Sequence, residues 1–129
     1  MKFEKLKILD LSHNNISNID ILKNVNFKEL KILNLSRNEI SDIKVLEQVK
    51  FERLETLYLF LNKISNIDIL KNVTFKELKE LDLSKNEISD IKVLEQVKFE
   101  KLKRLSLYDN KILDNKIINN LKTKFYVQD

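Results

Sequence analysis

The chain has 129 residues, of which 43% are apolar and 34% are charged, and its formal net charge is +4. This length suits one domain with a continuous core. Lys alternates with Glu along much of the chain, which argues against nucleic-acid binding, because that function gathers Lys and Arg on one face.

The composition also bears on the compartment. The chain contains no Cys, which excludes disulfides and thiolate-bound zinc and favours a reducing environment. No stretch is long and apolar enough to span a membrane, and the first residues, MKFEKLKILD, lack the apolar run of a secretory signal. We therefore expect a cytoplasmic protein that does not engage a membrane.

One pattern, F-x-x-L-x-x-L-x-L-x-x-N, recurs every 24 residues in five copies. Its first and last positions keep step throughout: Phe3, Phe27, Phe51, Phe75 and Phe99, and Asn14, Asn38, Asn62, Asn86 and Asn110. A fixed period of this length predicts a solenoid, in which each unit buries its apolar face only against its neighbours. We place repeats 1 to 4 at 3–26, 27–50, 51–74 and 75–98, and a partial repeat 5 at 99–113.

Repeat 2 illustrates the unit. Leu33 and Leu35 alternate with Ile32, Asn34 and Ser36, which is the period of a half-buried strand, and successive copies would place these strands side by side in a parallel sheet. The asparagine that follows can bond to turn backbone groups that the sheet leaves unpaired. Stacked copies of it predict an asparagine ladder.

The rest of each repeat returns to the next strand. In repeat 2 its apolar residues recur every third position: Ile40, Ile43, Leu46 and Val49. This spacing predicts a short helix or 3₁₀ segment packed against the sheet, with Ser41 or Asp42 capping its start.

The two ends differ. Residues 114–125 place Ile117, Ile118, Leu121 and Phe125 on one helical face behind Asp114, which predicts a capping helix that covers repeat 5, with FYVQ adding a short strand. No comparable cover precedes repeat 1. We therefore expect that the chain is a fragment, that it tolerates an open N-terminal edge, or that this edge pairs with another molecule.

The run LKILNLSRNEISDIKVL resembles a leucine-rich repeat, and N-x-I-S-D-I-x-x-L is closest to the class found in bacterial internalins and in a eukaryotic regulatory subunit of a serine/threonine phosphatase. The resemblance covers residues 3 to about 113, and the repeat is two residues longer than is usual for that class. It implies an α/β leucine-rich-repeat solenoid, a curved horseshoe whose concave parallel sheet binds other proteins and whose convex side carries short helices. The usual crossover rule predicts a right-handed superhelix.

The copies differ mainly on the strands and the turns after them. Repeats 2 and 4 differ only at Ile32/Glu80, Asn34/Asp82 and Arg37/Lys85, whereas their return segments are identical. Repeats 1 and 3 differ at eight positions, including Asp10/Tyr58 and Ser12/Phe60, and again share their return segment ISNIDILKNV. A face that diverges over an unchanged scaffold is expected of ligand recognition, and relaxed drift at exposed positions is the alternative.

Repeat 3 departs furthest, with Tyr58, Phe60 and Leu61 where repeats 1, 2 and 4 carry polar or charged residues. We predict a partner-binding site centred on these three residues. Its surroundings complete the predicted site: Ile32, Asn34, Arg37, Thr56, Glu80, Asp82, Lys85, Arg104 and Tyr108. The alternative is that Phe60 and Leu61 fold inward to fill a local irregularity.

No catalytic chemistry is indicated. Asp10, Ser12 and His13 are the residue types of a triad, but His13 begins the turn, and the chain has no Gly for an oxyanion elbow or a phosphate loop. We expect no catalytic residue, cofactor or metal ion. The predicted function is a non-enzymatic scaffold that binds one protein partner. The alternatives are a self-assembling module, dimeric through the concave face or the N-terminal edge, and a designed or freely diversified repeat without a selected ligand.

Overall fold

The computed structural model describes residues 4–129 of the chain, so Phe3 lies outside the described residues. Within that range, six short strands form one sheet in sequence order, and each strand pairs in parallel with the next. Their bounds are Ile8–Asp10 (β1), Ile32–Asn34 (β2), Thr56–Tyr58 (β3), Glu80–Asp82 (β4), Arg104–Ser106 (β5) and Tyr126–Gln128 (β6). The predicted parallel solenoid is confirmed.

The register follows directly from the repeat. Leu33 pairs with Leu57, which pairs with Leu81, and all three side chains are buried. Because neighbouring residues of a strand point to opposite faces, Thr56 and Tyr58 on either side of Leu57 share the outward face. We call this outward face of the sheet the concave face.

Four 3₁₀ segments form the opposite, convex layer, as the three-residue apolar spacing predicts. Their bounds are Asp20–Asn24, Lys44–Glu47, Asp68–Asn72 and Lys92–Glu95. In each segment, the backbone N–H of the first residue donates to the side chain two residues before it. Asp42 accepts from Lys44 at 2.9 Å, and Asn66 accepts from Asp68 at 2.9 Å. Of the two predicted capping residues, Asp42 therefore fills the role rather than Ser41.

The phenylalanines that open the repeats stack along the solenoid. The ring of Phe51 lies 6.2 Å, centroid to centroid, from Phe27 on one side and from Phe75 on the other. All three are buried, as is Phe99. One large side chain per repeat thus fills the equivalent space between the sheet and the convex layer.

The predicted asparagine ladder joins each repeat to the one before it. The Asn62 amide donates to the carbonyl oxygens of Leu35 at 3.0 Å and Leu59 at 3.1 Å, and its Oδ1 accepts the N–H of Ile40 at 3.0 Å. Since Leu35 and Ile40 belong to repeat 2, one side chain bonds across two repeats. The same bonds are made by Asn38, Asn86 and Asn110.

In repeat 1, the ladder asparagine makes fewer hydrogen bonds and the leucines are less buried than in repeats 2 to 4. Asn14 is exposed and donates only within its own repeat, to Leu11 at 2.9 Å and Ser12 at 3.1 Å. Leu9 and Leu11 are only partly buried, in positions where the leucines of repeats 2 to 4 are fully buried.

The C-terminal end is closed by a helix and a strand. Helix α1 (Asn115–Leu121) starts at Asp114, whose side chain accepts the N–H groups of Lys116 and Ile117. Its face of Ile117, Ile118 and Leu121 is buried, and β6 pairs with β5 at the sheet edge. These elements lie where the sequence predicts a cover for repeat 5.

Replacement of Asn62 tests how much the ladder contributes. In Asn62→Ala, the buried N–H of Ile40 loses its acceptor, at a cost of about 1–3 kcal/mol, and two carbonyls each lose a donor. We expect the free energy of unfolding to fall by about 2 kcal/mol or more in urea denaturation. Asn14→Ala, the matched change at the exposed end, should cost less than about 1 kcal/mol. Equal losses would contradict the ladder's role.

Candidate protein-binding face

The sheet brings most of the predicted site residues onto adjacent strands. Thr56 pairs between Ile32 and Glu80, and Tyr58 pairs between Asn34 and Asp82. Arg104 follows on β5, next to Glu80. All of them lie on the concave face because the leucine between each pair points into the core.

The remaining predicted residues follow the strands. Phe60 and Tyr108 lie two residues beyond β3 and β5. Arg37, Leu61 and Lys85 occupy the position just before the ladder asparagine, where every repeat adopts a left-handed backbone, with φ between 54° and 60° in the five copies. This conformation is unfavourable for residues other than glycine, and the chain has none.

The left-handed position was not predicted from the sequence. Its signal is the residue set that fills it, His13, Arg37, Leu61, Lys85 and Asp109, which contains no β-branched residue. β-branched side chains are the ones least tolerant of this conformation. The turn presents each of these side chains to solvent, and this explains why Leu61 remains 37% exposed.

Tyr58, Phe60 and Leu61 form a partly exposed cluster that we call the aromatic patch. The rings of Tyr58 and Phe60 are 6.4 Å apart at an angle of 73°, in an edge-to-face arrangement. The guanidinium carbon of Arg37 lies 5.9 Å from the centroid of Phe60. Phe60 thus contacts both Tyr58 and Arg37 within the chain itself.

The alternative in which Phe60 and Leu61 fold inward is wrong. Phe60 is only half-buried, and neither residue packs against the hydrophobic core. At the position of Phe60, repeats 2 and 4 carry Ser36 and Ser84, both with no exposed surface. The ring of Phe60 instead contacts that of Tyr58, which lies on the concave face.

One side of the patch is acidic. Asp82 accepts both the N–H of Ser84 at 3.0 Å and its hydroxyl at 2.6 Å, and so part of its carboxylate is engaged. Glu80 is half-buried, and its carboxylate makes no hydrogen bond or ion pair with any residue of 4–129. Burial raises the pKa of the Tyr58 phenol, and the negative charges of Glu80 and Asp82 raise it further.

Arg104 does not neutralise Glu80, although the two residues are paired across β4 and β5. Its guanidinium carbon instead lies 5.9 Å from the ring centroid of Tyr126 on β6. The concave face thus carries a positive group, Arg37, on one side of the aromatic patch and negative groups on the other.

The residues with triad chemistry do not form a catalytic arrangement. The hydroxyl of Ser12 donates to Asp10 at 2.6 Å, and this bond, with that from the Ser12 N–H, lowers the pKa of the Asp10 carboxyl. His13 lies on the left-handed turn. Across residues 4–129, no group of three or more acidic or histidine side chains is placed to hold a metal ion. None of the helices described is long and apolar enough to cross a membrane.

The repeat architecture has known counterparts. The family described as "Leucine Rich repeats (2 copies)" matches residues 4–48, 28–72 and 52–96, in overlapping pairs of repeats. The chain belongs to the leucine-rich repeat family. Domains of this family commonly serve as protein-interaction modules. No curated protein matches the chain.

Solved leucine-rich repeat structures are similar along nearly the whole chain. An internalin of Listeria monocytogenes, InlF, is 28% identical with a TM-score of 0.76, over 96% of this chain and 34% of that one. A leucine-rich repeat protein of Leptospira interrogans is 29% identical with a TM-score of 0.79, over 98% and 32%. Internalin C2 of L. monocytogenes is 27% identical with a TM-score of 0.74, over 97% and 53%. This leucine-rich repeat chain thus spans about a third of the length of two of these proteins and about half of the third.

The electrostatics of the patch predict a shift in the ionisation of Tyr58. Glu80→Gln removes a negative charge that disfavours the phenolate, so we expect the pKa of Tyr58 to fall while remaining raised by burial. Ring carbon shifts in NMR, followed through alkaline pH, measure it separately from Tyr108 and Tyr126. Glu87→Gln, an exposed glutamate beyond the ladder, is the control. An unchanged Tyr58 titration would contradict the placement of Glu80.

Proposed function

We propose that this leucine-rich repeat chain is a non-enzymatic interaction module that binds a polypeptide segment on its concave face, with the aromatic patch at the centre. The observation that carries the proposal is the partly exposed trio Tyr58, Phe60 and Leu61, ringed by polar and charged residues on neighbouring strands. Protein interfaces combine an apolar, aromatic centre with a polar rim in this way.

The divergence between the copies supports the same function. The sequence changes that distinguish repeat 4 from repeat 2 all fall on the concave strand or its turn, while the ladder asparagines and the Phe series are constant. Complete burial of an exposed large side chain contributes about 1.5–3 kcal/mol, and each residue of the partly buried patch would contribute less than this to binding. The cytoplasmic location remains a prediction from composition.

Self-association is the second candidate function, and the first repeat supplies the observation that favours it. Ile8 is 59% exposed, and Leu9 and Leu11 are only partly buried, so repeat 1 offers apolar surface that a second copy would cover. Light scattering coupled to size exclusion, over a concentration series, distinguishes a dimer from a monomer.

A peptide selection tests the proposed function. A phage-displayed library of random peptides is selected on the wild type and on Tyr58→Asp/Phe60→Ser/Leu61→Lys, in which repeat 3 takes residue types found in repeat 4. We expect the enriched peptides to bind the wild type at least tenfold more tightly, because the variant loses the apolar centre. Both proteins should unfold at similar urea concentrations, since the changed side chains lie outside the core.

The matched control is Ile21→Asp, which removes an exposed apolar residue from the convex layer. It should leave peptide affinity unchanged. Selected peptides that bind the wild type and the repeat 3 variant equally, or that lose affinity only with Ile21→Asp, would refute the concave-face site. If no peptide is enriched and light scattering shows a concentration-dependent dimer, self-association is favoured instead.

A further inference from the structure

The acidic side of the aromatic patch has no cation of its own. Glu80 is half-buried with no ion pair in residues 4–129, and the nearest candidate across the sheet, Arg104, lies over Tyr126. Asp82 bonds to Ser84 but has no basic partner. Two carboxylates on one strand therefore lie on the concave face without an ion pair to any of the described residues. Covering them with an apolar or acidic ligand would remove water from unpaired charges, which is costly.

The aromatic ring of Tyr58 lies next to the two carboxylates on the sheet. Tyr58 is the cross-strand neighbour of Asp82, and its ring stands nearly perpendicular to that of Phe60, so the two rings form adjacent walls. Arg37 already lies over Phe60, whereas none of the described cationic side chains lies over Tyr58. An aromatic ring beside carboxylates attracts a cation both through its π face and through charge.

We propose that the concave face recognises a basic peptide segment, whose Lys or Arg side chain lies between the ring of Tyr58 and the carboxylates of Glu80 and Asp82. The proposal rests on the proposed function and names the chemistry of its partner. Arginine fits best, because its planar guanidinium can stack on the tyrosine ring and donate to a carboxylate at once. Arg37, on the opposite side of the patch, disfavours a second basic residue there.

The strand spacing sets the arrangement in the ligand. Neighbouring strands are about 4.8 Å apart, so the aromatic patch on repeat 3 and the acids on repeat 4 are about one strand step from each other. In an extended peptide, side chains on the same side are about 6.6 Å apart, two residues along. In an extended peptide that crosses the strands, the nearest side chain on the same side as an apolar residue is two positions away. When the apolar residue lies on the patch, we therefore expect the basic residue two positions along.

Short synthetic peptides of defined sequence test this directly. The probe is an acetylated, amidated peptide of Gly and Ser that carries Leu two positions before Arg, and its matched forms carry citrulline or Glu in place of Arg. Titration at millimolar peptide, followed by amide shifts in NMR, detects even weak binding. We expect the Arg peptide to shift amides of β3 and β4, the citrulline peptide to bind at least tenfold more weakly, and the Glu peptide not to bind.

A charge-removal variant supplies the second arm. In Glu80→Gln/Asp82→Asn, the new amide at 82 can still accept the Ser84 N–H, as Asn34 accepts that of Ser36 at 3.0 Å. This variant should bind the Arg peptide about as weakly as the wild type binds citrulline, with citrulline binding unchanged. The control Glu39→Gln/Glu87→Gln makes the same change in net charge at two exposed glutamates after the ladder asparagines, and should bind like the wild type.

The inference is overturned if the Arg and citrulline peptides bind equally, if the Arg peptide causes no shifts or shifts elsewhere, or if removing the two acids leaves its affinity unchanged. Those results would not affect the proposed function if library-selected peptides still bind the repeat 3 variant more weakly than the wild type. Selected peptides that bind that variant and the wild type with equal affinity would instead refute the proposed function itself.

Discussion

The structure depends on the ladder asparagines of repeats 2 to 5, each of which bonds to carbonyl groups of its own turn and of the turn before. Through Asn62, the N–H of Ile40 and the carbonyls of Leu35 and Leu59 are satisfied without water. A turn between a strand and a returning segment would otherwise bury unpaired backbone groups, which folded proteins rarely tolerate. The ladder also accounts for the left-handed residue before each asparagine. The hydrogen bonds of the turn hold this residue at a positive φ, a conformation that residues other than glycine rarely adopt.

With the turn and the leucine core fixed in this way, the concave positions are free to vary. Ser36 and Ser84 fill their buried positions, while Phe60 at the equivalent place projects outward, and the strand pairing around it does not change. The register of the sheet determines which side chains become neighbours across strands. Tyr58 and Asp82 lie far apart in sequence terms but pair directly, and this pairing places aromatic and acidic groups at one point.

Much of this was predictable from the sequence because the repeat carries its own register. The 24-residue spacing determined which residues face each other, and the three-residue apolar spacing predicted a short helix or a 3₁₀ segment, of which the structure has the 3₁₀ form. Side-chain directions within the site were not predictable. The sequence does not indicate that Arg37 lies over Phe60, or that Arg104 lies over Tyr126 rather than pairing with Glu80, because a long side chain can reach more than one neighbour. The left-handed turn also escaped prediction, since its usual signal, glycine, is absent.

The central claim is that binding takes place on the concave face at repeat 3 and its two neighbours. The most direct measurement is a crystal structure of the protein with a library-selected peptide. The account predicts an extended peptide across β2 to β4 that covers Tyr58, Phe60 and Leu61, with the protein backbone unchanged. A peptide bound to the convex 3₁₀ layer, or added as a strand alongside β1, would contradict it.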